Sequence, residues 1–183
     1  ADQAALDLAI KLNIPHGGWV PKGRKTEAGV LSEKYQMTEM PTDDYRERTR
    51  QNIIDSHGTV IISRGPLTGG SKLTASYAKV IGRPHCVIDL TMAEEYEAAI
   101  TLQSFILENA VAILNVAGPR LSGQPWIYRE VQTVLETALF MLCSESTQYE
   151  KFIHLLPEAP EENTGVSSLE DAVDMIADEC DLR

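Results

Sequence analysis

Thr68-Gly69-Gly70-Ser71 is the stretch of this 183-residue chain best equipped for chemistry. Glycines let the backbone turn tightly and approach a ligand closely, because no Cβ stands in the way. A helix starting directly after them presents unpaired N–H groups and the positive end of its dipole. Together these make an anion cradle suited to a phosphate, with the Thr74 hydroxyl one turn on. The same Gly-Gly at a strand-to-helix corner also serves as a plain tight turn. Gly65 and Gly70, with four residues between them, imitate the start of a Walker loop. Ser71-Lys72 then follows where Lys-Ser/Thr is required, so the wrong side chains would meet phosphate and metal. A P-loop enzyme is excluded.

The elements that position this loop are readable on either side of it. Val60-Ile61-Ile62 is a β-branched run bounded by turn formers, which predicts a buried strand over Thr59–Ser63. The following helix runs to about Ile81. Upstream, Ala4–Leu12 is helical by propensity and is stopped by Asn13 and Pro15. His16–Val20 reads as a short extended segment, and residues 26–42 as an irregular surface excursion. Asp43 or Asp44 caps a helix to about Ser56, in which Arg48, Asn52 and Asp55 share one face. Downstream, His85–Leu90 is a second buried strand. Thr91 caps a helix from Ala93 to about Glu108, with Tyr96, Ala99, Ile100 and Leu107 as its apolar stripe, interrupted at Gln103. Val111–Val116 is a third strand, and a long helix from Ser122–Pro125 runs to about Leu142.

Strands alternating with helices predict an α/β, Rossmann-like three-layer domain with a mainly parallel sheet. In such a sheet the loops after the strands share one edge, where ligands bind. Trp19–Arg24, Thr68–Ser71, Asp89 and Asn115–Arg120 are all expected to gather there. This domain takes residues 1–144. Residues 145–183 form an acidic extension, with a Pro/Glu-rich linker at Pro157–Thr164 and a capping box at Ser167–Glu170 for a last helix to about Cys180.

Composition narrows the partners. The net charge of −11 argues against nucleic acid. The balance is uneven: residues 1–83 hold 12 basic and 9 acidic side chains, whereas residues 84–183 hold 4 and 18. Lys22-Gly23-Arg24-Lys25 and Arg46, Arg48 and Arg50 make a local basic zone that fits a small anion better than a polyanion. No apolar run is long enough to span a bilayer, and no secretory signal is visible. Cys86, Cys143 and Cys180 are widely spaced and lack a Cys-x-x-Cys pair, which points to packed thiols in a reducing, cytoplasmic setting and to no metal site. His16-Gly17-Gly18 is reminiscent of a hydrolase oxyanion loop, but there is no Gly-x-Ser-x-Gly elbow to use it.

Several separate motifs resemble one family. Asp2-Gln3-Ala-Ala-Leu-Asp7, Gly18-Trp-Val-Pro-Lys-Gly-Arg24, Arg48-Thr49-x-x-Asn52-x-x-Asp55-Ser-x-Gly-Thr59, Thr68-Gly-Gly-Ser71 and Leu114-Asn-Val-Ala-Gly-Pro-Arg120 are similar to the putative molybdenum carrier family. The resemblance covers about residues 1–142 and implies a Rossmann-like fold related to the lysine-decarboxylase-like nucleotide-processing proteins. It also implies binding of the molybdenum cofactor, a pterin with a phosphate tail. The family has a strand and a Gly-Gly-Gln-Thr-Gly loop before the Asp-Gln step, so a further segment is expected upstream of Ala1. The related phosphoribohydrolases carry Pro-Gly-Gly-x-Gly-Thr-x-x-Glu, with the Glu serving glycosidic cleavage. Here Ser76 stands at that place.

The resulting expectation is a binding or carrier protein with no catalytic residues of its own. Thr68, Gly69, Gly70, Ser71 and Thr74 hold a phosphate; Arg24 and Arg48 supply charge; Asn52 and Asn115 orient polar groups. Trp19 either packs in the core or stacks on a flat ring, and Gly118 and Arg120 close the far side. The ligand is the molybdenum cofactor or a nucleotide-like molecule. The competing class is a nucleotide N-glycosidase or phosphoribohydrolase, with Asp55, Asp89 or Glu27 as its acid; a third is a nucleotide-sensing module. A symmetric homo-oligomer is the ordinary expectation for such a fold.

Overall fold

The structure is a computed structural model that describes residues 1–27 and 29–153, with residues 145–153 as helical backbone only. The elements in order are α1 (Asp2–Leu12), β1 (Trp19–Val20), a 3-10 turn (Lys22–Arg24), β2 (Lys25–Thr26), β3 (Gly29–Val30), β4 (Thr38–Glu39), α2 (Tyr45–Ile54), β5 (Gly58–Ser63), α3 (Gly69–Ile81), β6 (His85–Asp89), α4 (Glu95–Glu108), β7 (Leu114–Ala117) and α5 (Ile127–Ile153). The main sheet is parallel, in the order β6-β5-β7.

β5 is the axis of the molecule. Val60, Ile61 and Ile62 are fully buried, and each contributes about 1.5–3 kcal/mol of transfer free energy. Successive side chains of a strand face opposite sides. Val60 and Ile62 join α1, α4 and α5 in the large core cluster, while Ile61 lies on the opposite face, where α3 packs on β5 and α2 packs on α3. The three layers expected from the sequence are therefore present.

The order of the strands fixes where a ligand would sit. From β5 the chain crosses through α3 to β6 on one side. It then returns through α4 to β7 on the other side of β5. The loop leaving β5 leads to α3 on one face, and the loop leaving β7 leads to α5 on the opposite face. They diverge at the carboxyl ends of β5 and β7, which makes a crevice of the kind ligands occupy in open α/β sheets.

Three details depart from the sequence reading. The N-cap of α4 is Glu94, in a reciprocal capping box with Glu97, rather than Thr91. The α4 stripe is also rotated. Ala98, Ala99, Leu102, Gln103, Phe105 and Ile106 are buried, whereas Tyr96, Ile100 and Leu107 are exposed. The two alanines let α4 lie close to its neighbours, and that closeness decides which side turns inward. Finally, α5 continues unbroken to Ile153, well past Leu142 and across the expected boundary at residue 144. The expected linker and last helix lie outside the described residues. Asp44 rather than Asp43 caps α2, accepting from the Arg46 N–H at 2.8 Å.

Candidate functional site

At the carboxyl end of β5 the chain turns through Arg64-Gly65-Pro66-Leu67-Thr68 into α3. Asp89, at the end of β6, builds this turn. One of its oxygens accepts from the Gly65 N–H at 2.7 Å, the Thr91 N–H at 2.9 Å and the Thr91 hydroxyl at 2.7 Å. The bonds from the Thr91 and Gly65 backbones hold its carboxyl below the usual carboxylate range. Thr68 is extended and makes no side-chain cap. Gly69 has φ of +49°, which favours glycine, and no heavy atom lies within 4 Å of where a Cβ would stand on Gly69 or Gly70. The amino end of α3 therefore has no side-chain cap and has open space beside its two glycines. Ser71 and Thr74 are buried behind them, and the Thr74 hydroxyl donates to the Gly70 carbonyl at 2.9 Å.

The other wall of the crevice is the exit of β7. A Cβ on Gly118 would lie 2.4 Å from the Ile62 carbonyl oxygen and 2.6 Å from the Ala1 Cβ, so only glycine lets this strand hug β5. Ala1 thereby brings the amino end of α1 to the same edge. Asp2 pairs there with Arg48 at 3.2 Å, and the Arg48 Nε is buried without a hydrogen-bond partner among the described residues. Arg120 is exposed and lies over the Tyr45 ring, 5.9 Å from its centre.

A second group of expected site residues is spent on architecture. The Asn52 side chain accepts from the Trp19 N–H at 2.7 Å and donates to the Trp19 carbonyl at 3.2 Å, fastening α2 to β1. The Trp19 indole N–H donates to Asp55 at 2.6 Å, and Asp55 also accepts from Gln51. The hydrogen bonds from Gln51 and Trp19 lower the pKa of Asp55. Gly18 has φ of +121°, and a Cβ there would sit 3.0 Å from the Asn52 oxygen, so the Gly18-Trp19 step and Asn52 are shaped to each other. Arg24 gives its guanidinium to four carbonyls of the excursion, those of Leu31, Ser32, Tyr35 and Met37, at 2.9–3.2 Å.

The match to known proteins follows the same segments. A model described as the circularly permutated YpsA SLOG family matches residues 1–139. The chain belongs to this family. A solved structure from Syntrophus aciditrophicus, named a putative molybdenum carrier protein, is 48% identical over 76% of this chain and 88% of its own, with a TM-score of 0.75. No curated protein matches. The resemblance and the Rossmann-like α/β class read from the sequence are both borne out.

In this SLOG protein the structure sorts the expected site residues into three places. Thr68, Gly69, Gly70, Ser71, Thr74 and Gly118 border the crevice, with Arg48 beside them and Arg120 on its outer rim. Trp19, Arg24 and Asn52 belong to the clamp of the excursion. Asn115 corrects the expectation that its whole loop reaches the carboxyl edge. It pairs with Thr59 in the ladder, near the amino ends of the strands, and its amide donates to the Thr59 hydroxyl at 3.2 Å. The strand β7 begins three residues later than read and takes in Ala117, which was expected to follow it.

Four residues went unread. Arg64 is the first residue after β5; its guanidinium donates to Glu130 at 2.7 Å. Gln124 accepts from the Arg64 N–H at 3.1 Å and donates to the Arg64 carbonyl at 2.8 Å. Trp126, at the start of α5, is 74% exposed. A charged residue directly after the apolar Val60-Ile61-Ile62 run and Ser63 was the available signal for Arg64. Nothing in the spacing tied residues 124–130 to it. Among the described residues no group of three metal-binding side chains is present, and no helix is long and apolar enough to cross a membrane.

Proposed function

We propose that this SLOG protein is a binding or carrier protein for a small phosphate-bearing molecule, either the molybdenum cofactor or a nucleotide-like ligand. The observation that carries the reading is the amino end of α3, which has no side-chain cap and where a Cβ on Gly69 or Gly70 would meet open space. A phosphate there gains hydrogen bonds and the favourable end of the helix dipole. It sits beside the β5–β7 crevice, which leaves room for the rest of the ligand. The name of the 48% identical relative agrees with such a role. A phosphate-tailed pterin fits these residues: Gly69, Gly70 and Ser71 would hold the tail, and the bound cofactor would supply molybdenum chemistry to whichever enzyme receives it.

Binding without cleavage is favoured over hydrolysis by the disposition of the acids. Asp55 is fastened to Trp19 and Gln51, Asp89 builds the Gly65 turn, and Glu27 accepts from Ser122. Ser76, at the place of the phosphoribohydrolase glutamate, is exposed and donates to the Lys72 carbonyl.

Gly70→Val tests the site, because the added side chain meets no protein atom and enters the space proposed for the phosphate. Calorimetric titration with a phosphorylated pterin and with GMP is expected to show binding to the natural protein and at least tenfold weaker binding to the variant, at unchanged melting temperature. Equal affinity, or release of free guanine from GMP, would overturn the reading.

A further inference from the structure

The main sheet ends at β6. This strand pairs with β5 alone, so its other edge has no neighbouring strand among the described residues. Two bonds fix which backbone groups lie on that edge. The Pro84 carbonyl accepts from the Thr59 N–H at 3.0 Å, and the Leu90 N–H donates to the Ser63 carbonyl at 2.8 Å. Successive residues of a strand turn their backbone groups to opposite sides, so His85, Val87 and Asp89 aim theirs outward. The Asp89 carbonyl accepts from the Met92 and Ala93 N–H groups of the following turn. The other outward N–H and carbonyl groups have no partner among the described residues.

Folds commonly guard such an edge with charged side chains, proline, a bulge or a covering helix. Here Cys86, Val87 and Ile88 carry no charge, and the register from His85 to Asp89 has no bulge. Val87 is 46% exposed. A groove bounded by Cys86, Ile100, Ser104 and Phe105 separates α4 from the strand, with Ile100 exposed at its rim. Free backbone groups beside an apolar groove are a template for another strand.

The residues of β6 indicate which strand that is. Laid antiparallel against itself about Val87, β6 is self-complementary: His85 comes opposite Asp89, Cys86 opposite Ile88, and Val87 opposite Val87. The outward residues are the ones that meet as hydrogen-bonded pairs. Asp89 spends one oxygen on the Gly65 and Thr91 donors, and its other oxygen has no hydrogen-bond partner among the described residues. His85 is exposed and shares a face of the strand with Asp89. At both ends of the pairing an imidazole N–H would therefore meet a carboxylate oxygen that lacks a donor.

We propose that β6 is a homodimer interface, in which two copies of this chain join their β6 edges antiparallel about a two-fold axis through Val87. Each Val87 N–H donates to the Val87 carbonyl of the other copy, and each Asp89 N–H donates to the partner's His85 carbonyl. The axis stands perpendicular to the sheet, so both α4 helices lie on one face and the same patch of each copy is buried, as closed two-fold symmetry requires. Any extended strand can satisfy the backbone; the His85–Asp89 and Val87–Val87 matches favour a second copy. The inference does not rest on the phosphate reading.

Sedimentation equilibrium of the full chain is expected to give twice the monomer mass. Val87→Lys sets two ammonium groups against each other on the axis and is expected to give a folded monomer. Val80→Lys, on α3 at a position 84% exposed, is expected to stay dimeric. Opposed residues of a hydrogen-bonded antiparallel pair have Cα atoms about 5.5 Å apart, within reach of a disulfide. Val87→Cys is therefore expected to form a covalent dimer on mild oxidation, to a greater extent than the natural protein or Val80→Cys. That measurement decides the matter even where Val87→Lys fails to fold. A natural protein that is monomeric at every concentration overturns the proposal, and so does a monomer that captures an unrelated β-strand peptide instead. A dimer that Val87→Lys leaves intact and Val87→Cys does not cross-link also overturns it.

Discussion

Arg24 and Arg64 each follow a short strand, and each was available to meet an anion, yet they end differently. Arg24 is enclosed by its own excursion, with four backbone carbonyls around one guanidinium. Arg64 gives one ion pair to Glu130, and its side chain remains 47% exposed at the crevice. The regions around them repeat the contrast. Between Gly18 and Asp55, the side chains of Trp19, Arg24, Asn52 and Asp55 are spent on internal hydrogen bonds, so Arg24 of the basic zone serves as an internal brace. At the carboxyl edge, by contrast, the amino end of α3 has no side-chain cap and one buried Glu130 oxygen has no hydrogen-bond partner among the described residues. Polar groups that a fold leaves unsatisfied mark the place where something else is bound, and clusters of charge read from composition do not.

The comparison breaks most sharply at Arg24. Arg24→Ala strands four carbonyls that a charged donor now serves, and it should cost about 3 kcal/mol of unfolding free energy, discounted for the half-exposed site. Phosphate affinity, measured on the folded fraction, should stay the same. A variant of full stability with weakened ligand binding would return Arg24 to the site.

Asn52→Ala is the smaller version of the same test. It removes two hydrogen bonds to the Trp19 backbone and should cost about 1–2 kcal/mol in a denaturant titration. Intrinsic fluorescence of a Trp126→Leu background should report a loosened Trp19. Unchanged Trp19 emission and unchanged stability would mean that β1 holds without its clamp and that the amide is free to serve a ligand.

How much of this was legible depended on the range of the interaction. The β5 run and the Asn13 stop of α1 are local: hydrophobic burial and capping act within a few residues, and each lies where the sequence places it, whereas α3 starts at Gly69 and takes in the glycines read as its preceding loop. The motifs Gly18-Trp19 and Arg48-x-x-x-Asn52-x-x-Asp55 were visible as a pattern, but their purpose was not. One amide reaches across 33 positions to Trp19, and only the fold shows that the partner is backbone rather than ligand. The Arg64–Glu130 pair spans 66 positions. No periodicity connects them, because the switch of strand order at β5 is what brings them together.

The brace is also fixed to the core, and this gives the mildest prediction. Asp7 on α1 accepts from Lys34 and Tyr35 of the excursion at 2.8 Å each and from Tyr128 of α5 at 2.7 Å. Partial burial pushes its carboxyl up, but the hydrogen bonds from Lys34, Tyr128 and Tyr35 outweigh this and the net shift is downward. A carboxyl whose pKa is lower in the folded state binds fewer protons there than in the unfolded chain. Its stabilisation is therefore complete above the ordinary aspartate value of 3.8 and is lost as pH falls through the lower folded value. Tyr128 is pushed up to about 12 by burial and by Asp7, so its contribution is present below pH 10 and fades as pH rises toward 12. Asp7→Asn should lower the melting temperature at pH 7 and should flatten its decline below about pH 4, with the effect on ligand affinity at pH 7 absent. A decline as steep as that of the natural protein would place the acid-sensitive group elsewhere, with Asp89 at the Gly65 turn the next to examine. Loss of affinity at pH 7 would instead mean that the brace and the crevice are coupled through α1, whose amino end packs against Gly118.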